Sequence, residues 1–251
     1  MRETDRKVAK KAWFFGRPHT EKFDLETFSL NSLYRTFGTA NPSLYSNPFY
    51  SYMIKEKFSP FDFEIYHDLD YKSYSPMFTF EPRIGMSETS LPSHGFTVFI
   101  GGEYEDFYDP HFLIYNDVIV KYDDGTVKHF GYPEDVFPCT DFHTATYYPA
   151  HNCIYIIGRL GYFDFWKGNA KKETPVFKLD LQTFEISKID YEGKSPGWIY
   201  DHTDVLRGKK IWVIVRPKDD KGPGPGIKLV YFNVETRKWG KKNLRKKQKL
   251  T

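Results

Sequence analysis

Short runs of alternating apolar and polar residues, broken by turn residues, make up most of the chain. One run recurs. It reads FDLETF at residues 23–28, LDLQTF at 179–184 and FNVETRKW at 232–239. Weaker copies are KYDDGTVKHF at 121–130 and HDLDYKSY at 67–74. The Asp or Asn stands at positions 24, 68, 123, 180 and 233, so the spacings are 44, 55, 57 and 53 residues. Period-two alternation around an Asx–x–x–Thr turn predicts a tight hairpin. The Asx side chain accepts hydrogen bonds from backbone amides within the turn, and the aromatic beyond it gives the returning strand a large group to bury.

A second pattern precedes the first in three copies: SHGFTVFIGG at 93–102, FHTATYYPAHNCIYIIG at 142–158 and DHTDVLRGKKIWVIV at 201–215. Each has a histidine (His94, His143, His202), a strand, a turn and a second, strongly apolar strand. PAHN and RGKK read as hairpin connections. The two patterns together predict four short strands per unit of about 50 residues, a period that marks propeller-type repeats. Composition agrees. Aromatics are 19% of the chain, which favours strands, and 16 Pro and 18 Gly supply turns. Amphipathic helical periodicity is nearly absent, so the chain is expected to be all-β.

The unit at 142–189, with its His-Thr-Ala start, its apolar strand ending in Gly and its V-F-K-L-D-L-x-T strand, resembles a repeat of the kelch-repeat β-propeller family. Units at roughly 87–131 and 195–240 match less completely. Gly101-Gly102 keeps the Gly pair usual after the second strand, whereas Gly158-Arg159 and Ile214-Val215 do not. The resemblance covers residues 87–240. It implies a kelch-like propeller of four to five four-stranded blades, incomplete or unconventionally closed. Residues 11–35 read as the outer half of a blade. Residues 38–86, rich in Pro, Tyr and Phe, read as a degenerate blade or an irregular insertion.

Charge divides the chain further. The formal net charge is +3, but residues 1–11 carry +3 and residues 241–251 carry +6, leaving −6 between them. The expected organisation is a basic segment at 1–10, a propeller-like domain at 11–240 and a basic tail at 241–251. An acidic body disfavours a nucleic-acid enzyme, so nucleic acid or a nuclear location would involve only the basic tail. No apolar run reaches 18 residues, so no membrane span is expected. Cys139 and Cys153 are too few for a disulfide scaffold and suit a cytoplasmic setting.

Candidate chemistry is sparse. No nucleophile elbow, P-loop, HExxH or CxxC pair is present. The three histidines would suit a metal ring, but their recurrence suits repeat architecture better, so no metal, no cofactor and no catalytic residue is expected. Tyr66, His67, Asp68 and Asp70 read as a capped turn rather than a divalent site. Two loops carry aromatics beside charges. Residues 103–109 hold Tyr104, Phe107 and Tyr108 among Glu103, Glu105, Asp106 and Asp109. Residues 158–174 hold Tyr162, Phe163, Phe165 and Trp166 with Lys167, Lys171 and Lys172. Loops of this composition suit macromolecular recognition. The expectation is a non-catalytic protein-interaction module binding through Tyr162, Phe163, Phe165, Trp166, Lys167, Tyr104, Phe107 and Tyr108. The resemblance also admits a sugar oxidase or epimerase, or a glycan-binding lectin.

Overall fold

Alternation sets which residues pair, and the pairing builds a set of antiparallel sheets. A computed structural model describes residues 36–59, 63, 78–81, 83–105, 112–161, 173–215, 218–219, 222–223 and 228–242. In chain order the elements are β1 (Ser43–Leu44), α1 (Pro48–Glu56), β2 (Ser87–Leu91), β3 (Phe96–Ile100), β4 (Glu103–Glu105), β5 (Phe112–Ile114), β6 (Val118–Tyr122) and β7 (Val127–Gly131). They continue with β8 (Thr144–Tyr148), β9 (Cys153–Ile157), β10 (Val176–Asp180), β11 (Ile186–Lys188), β12 (Thr203–Arg207), β13 (Lys210–Val215), β14 (Lys218–Asp219), β15 (Gly222–Pro223), β16 (Lys228–Asn233) and β17 (Lys238–Lys241).

The first sheet runs β1-β7-β6-β3-β2, the second β11-β10-β9-β8 and the third β12-β13-β16-β17. Two ribbons, β4-β5 and β14-β15, complete the set, and no sheet closes on itself. The turns form as the alternation predicts. Asp180 Oδ1 accepts from the amides of Gln182 (2.8 Å) and Thr183 (3.1 Å), and Asn233 Oδ1 accepts from Glu235 and Thr236 (3.1 Å each). In the weaker copy the cap falls on Asp124, which accepts from Thr126 N, and not on Asp123. The copy at 67–74 and the motif at 23–28 lie outside the described residues.

The segment expected as a degenerate blade or an insertion holds a helix. Asn47 caps α1 by accepting from the amides of Phe49 (2.9 Å) and Tyr50 (3.2 Å), and Pro48 starts the first turn. The helix ends at Lys57 in the left-handed region, φ 58°. Phe49, Tyr52 and Met53 fall on one face by i, i+3, i+4 spacing and are buried with Tyr50 and Ile54. They pack with Phe58, Phe63, Phe80, Tyr115 and Ile119, and Met86, Phe99 and Val127 of the first sheet border the cluster. The helix therefore covers one face of the first sheet. The other face of that sheet meets the second sheet through Val98, Val120, Ile156 and Leu179, and the second meets the third through Tyr155, Val176, Ile211 and Phe232.

Strands β2, β8 and β12 lie side by side at the junctions. Hydrogen bonds there repeat at nearly constant sequence separation. Ser87 Oγ pairs with His143 Nε2 at 2.7 Å, and Thr144 Oγ1 pairs with His202 Nε2 at 3.0 Å. Two residues further along, Thr89 donates to Ala145 O and Thr146 donates to Asp204 Oδ2. These separations, 56 to 58 residues, are the repeat length expressed as structure.

A buried ion cluster ties the first sheet to its helical cover. Asp117 accepts two hydrogen bonds from Arg83 (2.7 and 2.9 Å) and one from His129 Nε2 (2.7 Å). Arg83 also donates to the carbonyls of Thr79 and Gly101 and sits 3.6 Å from the Tyr115 ring centroid. Burial alone would raise the Asp117 carboxyl; Arg83 and His129 outweigh it and hold it well below the usual carboxylate range. Stability from this cluster is thus present above the ordinary aspartate pKa and is lost as pH falls through the depressed folded value. Arg83→Leu leaves Asp117 buried without its main partner. The expected cost is on the order of 3–5 kcal/mol, read from urea unfolding at neutral pH. A cost under about 1 kcal/mol, the surface-pair range, would show that Arg83 does not hold the cover in place.

Candidate functional site

Strands β3, β9 and β13 occupy equivalent second positions in the three sheets, and each is paired to the first strand of its sheet in the same antiparallel sense. The chain that follows each one therefore leaves from the same end. There the three long inter-strand connections begin: the β4-β5 ribbon, residues 158–175 and residues 216–227.

The roots of the first two connections are knitted together. Gly102 N donates to Thr140 O and Thr140 N to Tyr115 O. Gly101 is in the left-handed region at φ 56°, and a Cβ there would run into the Thr140 carbonyl. Leu160 N donates to Asp141 O and Gly161 N to Asp141 Oδ1 (2.7 Å). Arg159 donates to Cys139 O (2.7 Å) and lies over the Trp198 ring, whose Nε1 donates to Leu160 O.

At the centre of this knot sit two carboxyls. Glu103 is 7% exposed and Asp141 fully buried. Burial pushes the Glu103 carboxyl up to about 8, and its hydrogen bond to Asp141 and the charge of Asp141 add to the shift. Burial also raises Asp141, against the lowering effect of its bond from Gly161. Glu103 Oε2 and Asp141 Oδ2 have no hydrogen-bond partner among the described residues. Glu103 is therefore held largely protonated near neutral pH.

His143 and His202 flank the knot. Burial, with His202 alongside, pushes His143 down to about 3, and burial pushes His202 down to about 4. Both are neutral imidazoles that bind hydroxyls of the preceding sheet. His94 is not their equivalent. It lies in the turn after β2, pairs with Asn152 Oδ1 at 2.8 Å, and matches His151 in the turn after β8. Met86 occupies the position that His143 and His202 fill in the later sheets.

Of the residues expected to bind a partner, Tyr104 is corrected by the structure. It faces inward at 5% exposure, in the cluster with Tyr115 and with Leu113, its cross-strand partner in the β4-β5 ribbon. Glu103, expected on a solvated acidic loop, is buried with it. Phe107, Tyr108, Tyr162, Phe163, Phe165, Trp166 and Lys167 lie outside the described residues. The knot itself was missed by sequence reasoning, since Glu103, Asp141 and Arg159 meet only across two sheets. Cys153 is buried, whereas Cys139 is half-buried and donates to Glu134 Oε1.

No family model matches the chain, and no curated protein matches it. Among solved structures the chain is similar to YjhT, with 15% sequence identity and a TM-score of 0.45. The match covers 70% of this chain and 56% of that one, so the chain spans little more than half the length of YjhT. No helix among the described residues is long and apolar enough to cross a membrane.

Glu103 carries a folded-state pKa above its unfolded value, so folding favours its protonated form. Stability is greatest below pH about 4.5 and declines as pH rises toward about 8. Glu103→Gln keeps the shape and removes the ionisation. The decline between pH 5 and 8 should shrink by on the order of 1–3 kcal/mol, read from urea midpoints across that range. An unchanged decline would place the titration elsewhere.

Proposed function

We propose that the chain is an intracellular kelch-like propeller array that acts as a non-catalytic protein-interaction module. The propeller reading is supported by three sheets in sequence order, joined through their innermost strands by hydrogen bonds one repeat apart. A radial array of that kind presents its inter-strand loops at one end, and such loops carry binding on a rigid scaffold. The observation that carries the functional reading is that the three long connections leave from that common end, the roots of the first two fixed by the Gly101–Thr140–Asp141–Arg159 knot. This reading assigns binding to Phe107 and Tyr108 of the first connection and to Tyr162, Phe163, Phe165, Trp166 and Lys167 of the second. Tyr104 belongs to the core.

One observation favours a second reading, an enzyme acting on a sugar at the same end. Glu103 is held protonated near neutrality, at a pKa suited to general acid catalysis. Against it, both carboxyls are closed off from solvent. A glycan partner would use the same aromatic loop side chains by stacking.

Trp166→Ala tests the interaction reading. Partner capture from native extract should fall at least tenfold, as for a hot-spot aromatic worth about 2 kcal/mol or more, while the melting temperature stays within about 2 °C. A loss of several kcal/mol in stability would instead make Trp166 a core residue. Capture unchanged in both Trp166→Ala and Phe165→Ala would remove this loop from the function.

A further inference from the structure

The two junctions between the sheets can be compared position by position, because the strand registers match. In the first sheet Thr89 lies opposite Val98 and Val98 opposite Val120; in the second, Thr146 lies opposite Tyr155 and Tyr155 opposite Lys178. Lys178 is thus the counterpart of Val120. The hairpin turns that face these strands also match. Phe184 follows the Asp180 cap by four residues at φ 59°, and Arg237 follows the Asn233 cap by four residues at φ 51°.

At the first junction the wedge is filled by apolar groups. Val120 is fully buried and Phe184 is 8% exposed, stacked on Phe130 with ring centroids 4.7 Å apart. At the second junction Lys178 and Arg237 stand in the same two places, and a cavity of about 450 Å³ opens between the sheets. Its walls include Tyr155, Ser187 and Ile189 of the second sheet and Val234 of the third, with Lys188 and His151 at the rim. Lys178, Lys188 and Arg237 form no ion pair among the described residues. The one acid in the lining, Glu235, is already engaged by the Tyr148 hydroxyl (2.7 Å) and His151 Nε2 (3.5 Å).

Lys178 is half-buried and Arg237 exposed, and two cations lining one cleft repel each other. A bound anion offsets that repulsion. The remaining polar walls donate: the Ser187 hydroxyl, the Arg237 fork and the Tyr155 phenol, which burial holds protonated by pushing it up to about 12. Donors without free acceptors select an oxyanion, and a guanidinium with lysines suits phosphate better than a single carboxylate. The volume lies within the roughly 300–1,000 Å³ of small-molecule sites and exceeds what inorganic phosphate alone would fill.

We propose that the cleft between the second and third sheets is a binding site for a small phosphorylated organic molecule, held by Lys178, Arg237 and Ser187. The site lies on the sheet flanks, apart from the loop end, and does not depend on the interaction reading.

The test uses the full chain and glucose 6-phosphate as probe, with glucose, inorganic phosphate, O-phosphoserine and sodium sulfate as comparison arms, by calorimetry and backbone amide NMR. Glucose 6-phosphate should bind at least tenfold tighter than sulfate and should shift the amides of Tyr155, Lys178 and Ser187; glucose should not bind. Preference for O-phosphoserine over glucose 6-phosphate would overturn the small-molecule assignment in favour of a phosphorylated side chain of a partner. Lys178→Val with Arg237→Phe copies the plug of the first junction. It should weaken glucose 6-phosphate binding at least tenfold without lowering the melting temperature. Lys178→Gln, which keeps the cleft polar, should weaken binding severalfold if the double variant does not fold. Equal affinity for sulfate and glucose 6-phosphate, or binding unaffected by Lys178→Gln, would overturn the proposal.

Discussion

A sheet with two apolar faces must be covered on both, and that constraint organises the described part of this molecule. None of the three large sheets can stand alone. The first is covered by α1 on one face and by the second sheet on the other, and the second is covered by the first and third. Apolar burial supplies the driving force, at roughly 25 cal/mol per Å², but it does not fix how the sheets slide against one another. Side-chain hydrogen bonds do that. Ser87 with His143 and Thr144 with His202 set the same offset at each junction, and neither imidazole carries charge over the physiological range.

Much of this was legible in the sequence, and the limits are instructive. The Asx–x–x–Thr turns announced their hairpins because the cap is local: acceptor and donors lie within three residues. The helix also left a signal, Asn47–Pro48 followed by Phe49, Tyr52 and Met53. That signal was obscured by a segment so aromatic that strand and helix preferences coincide. The histidines were harder to assign. Three imidazoles, one in each copy of the second pattern, looked equivalent, yet His94 lies at the far end of its strand. Spacing counts residues, whereas equivalence depends on register, and register is set by partners one strand away.

The candidate site was less legible still. Tyr104 and Glu103 belong to an acidic, aromatic stretch that reads as exposed loop. Both lie in a two-strand ribbon and are buried, and the upward shift of Glu103 owes part of its size to Asp141, nearly forty positions away. The replacement of Phe184 by Arg237 can be seen by aligning the two turn motifs. Its significance appears only beside the replacement of Val120 by Lys178, because the two positions face each other across a junction.

That mismatch between junctions bears on how the molecule comes apart. The three large sheets dock on one another in sequence order, so the described array approximates a one-dimensional chain of cooperative units whose stabilities add link by link. The link between the first and second sheets is sealed by stacked phenylalanines; the link between the second and third contains a charged cleft. Opening from the native state should therefore begin at the weaker link, with β12, β13, β16 and β17 leaving together as one foldon while the first two sheets remain docked. A molecule seated in the cleft would act as a latch on that end, joining occupancy of a flank site to the persistence of the third sheet.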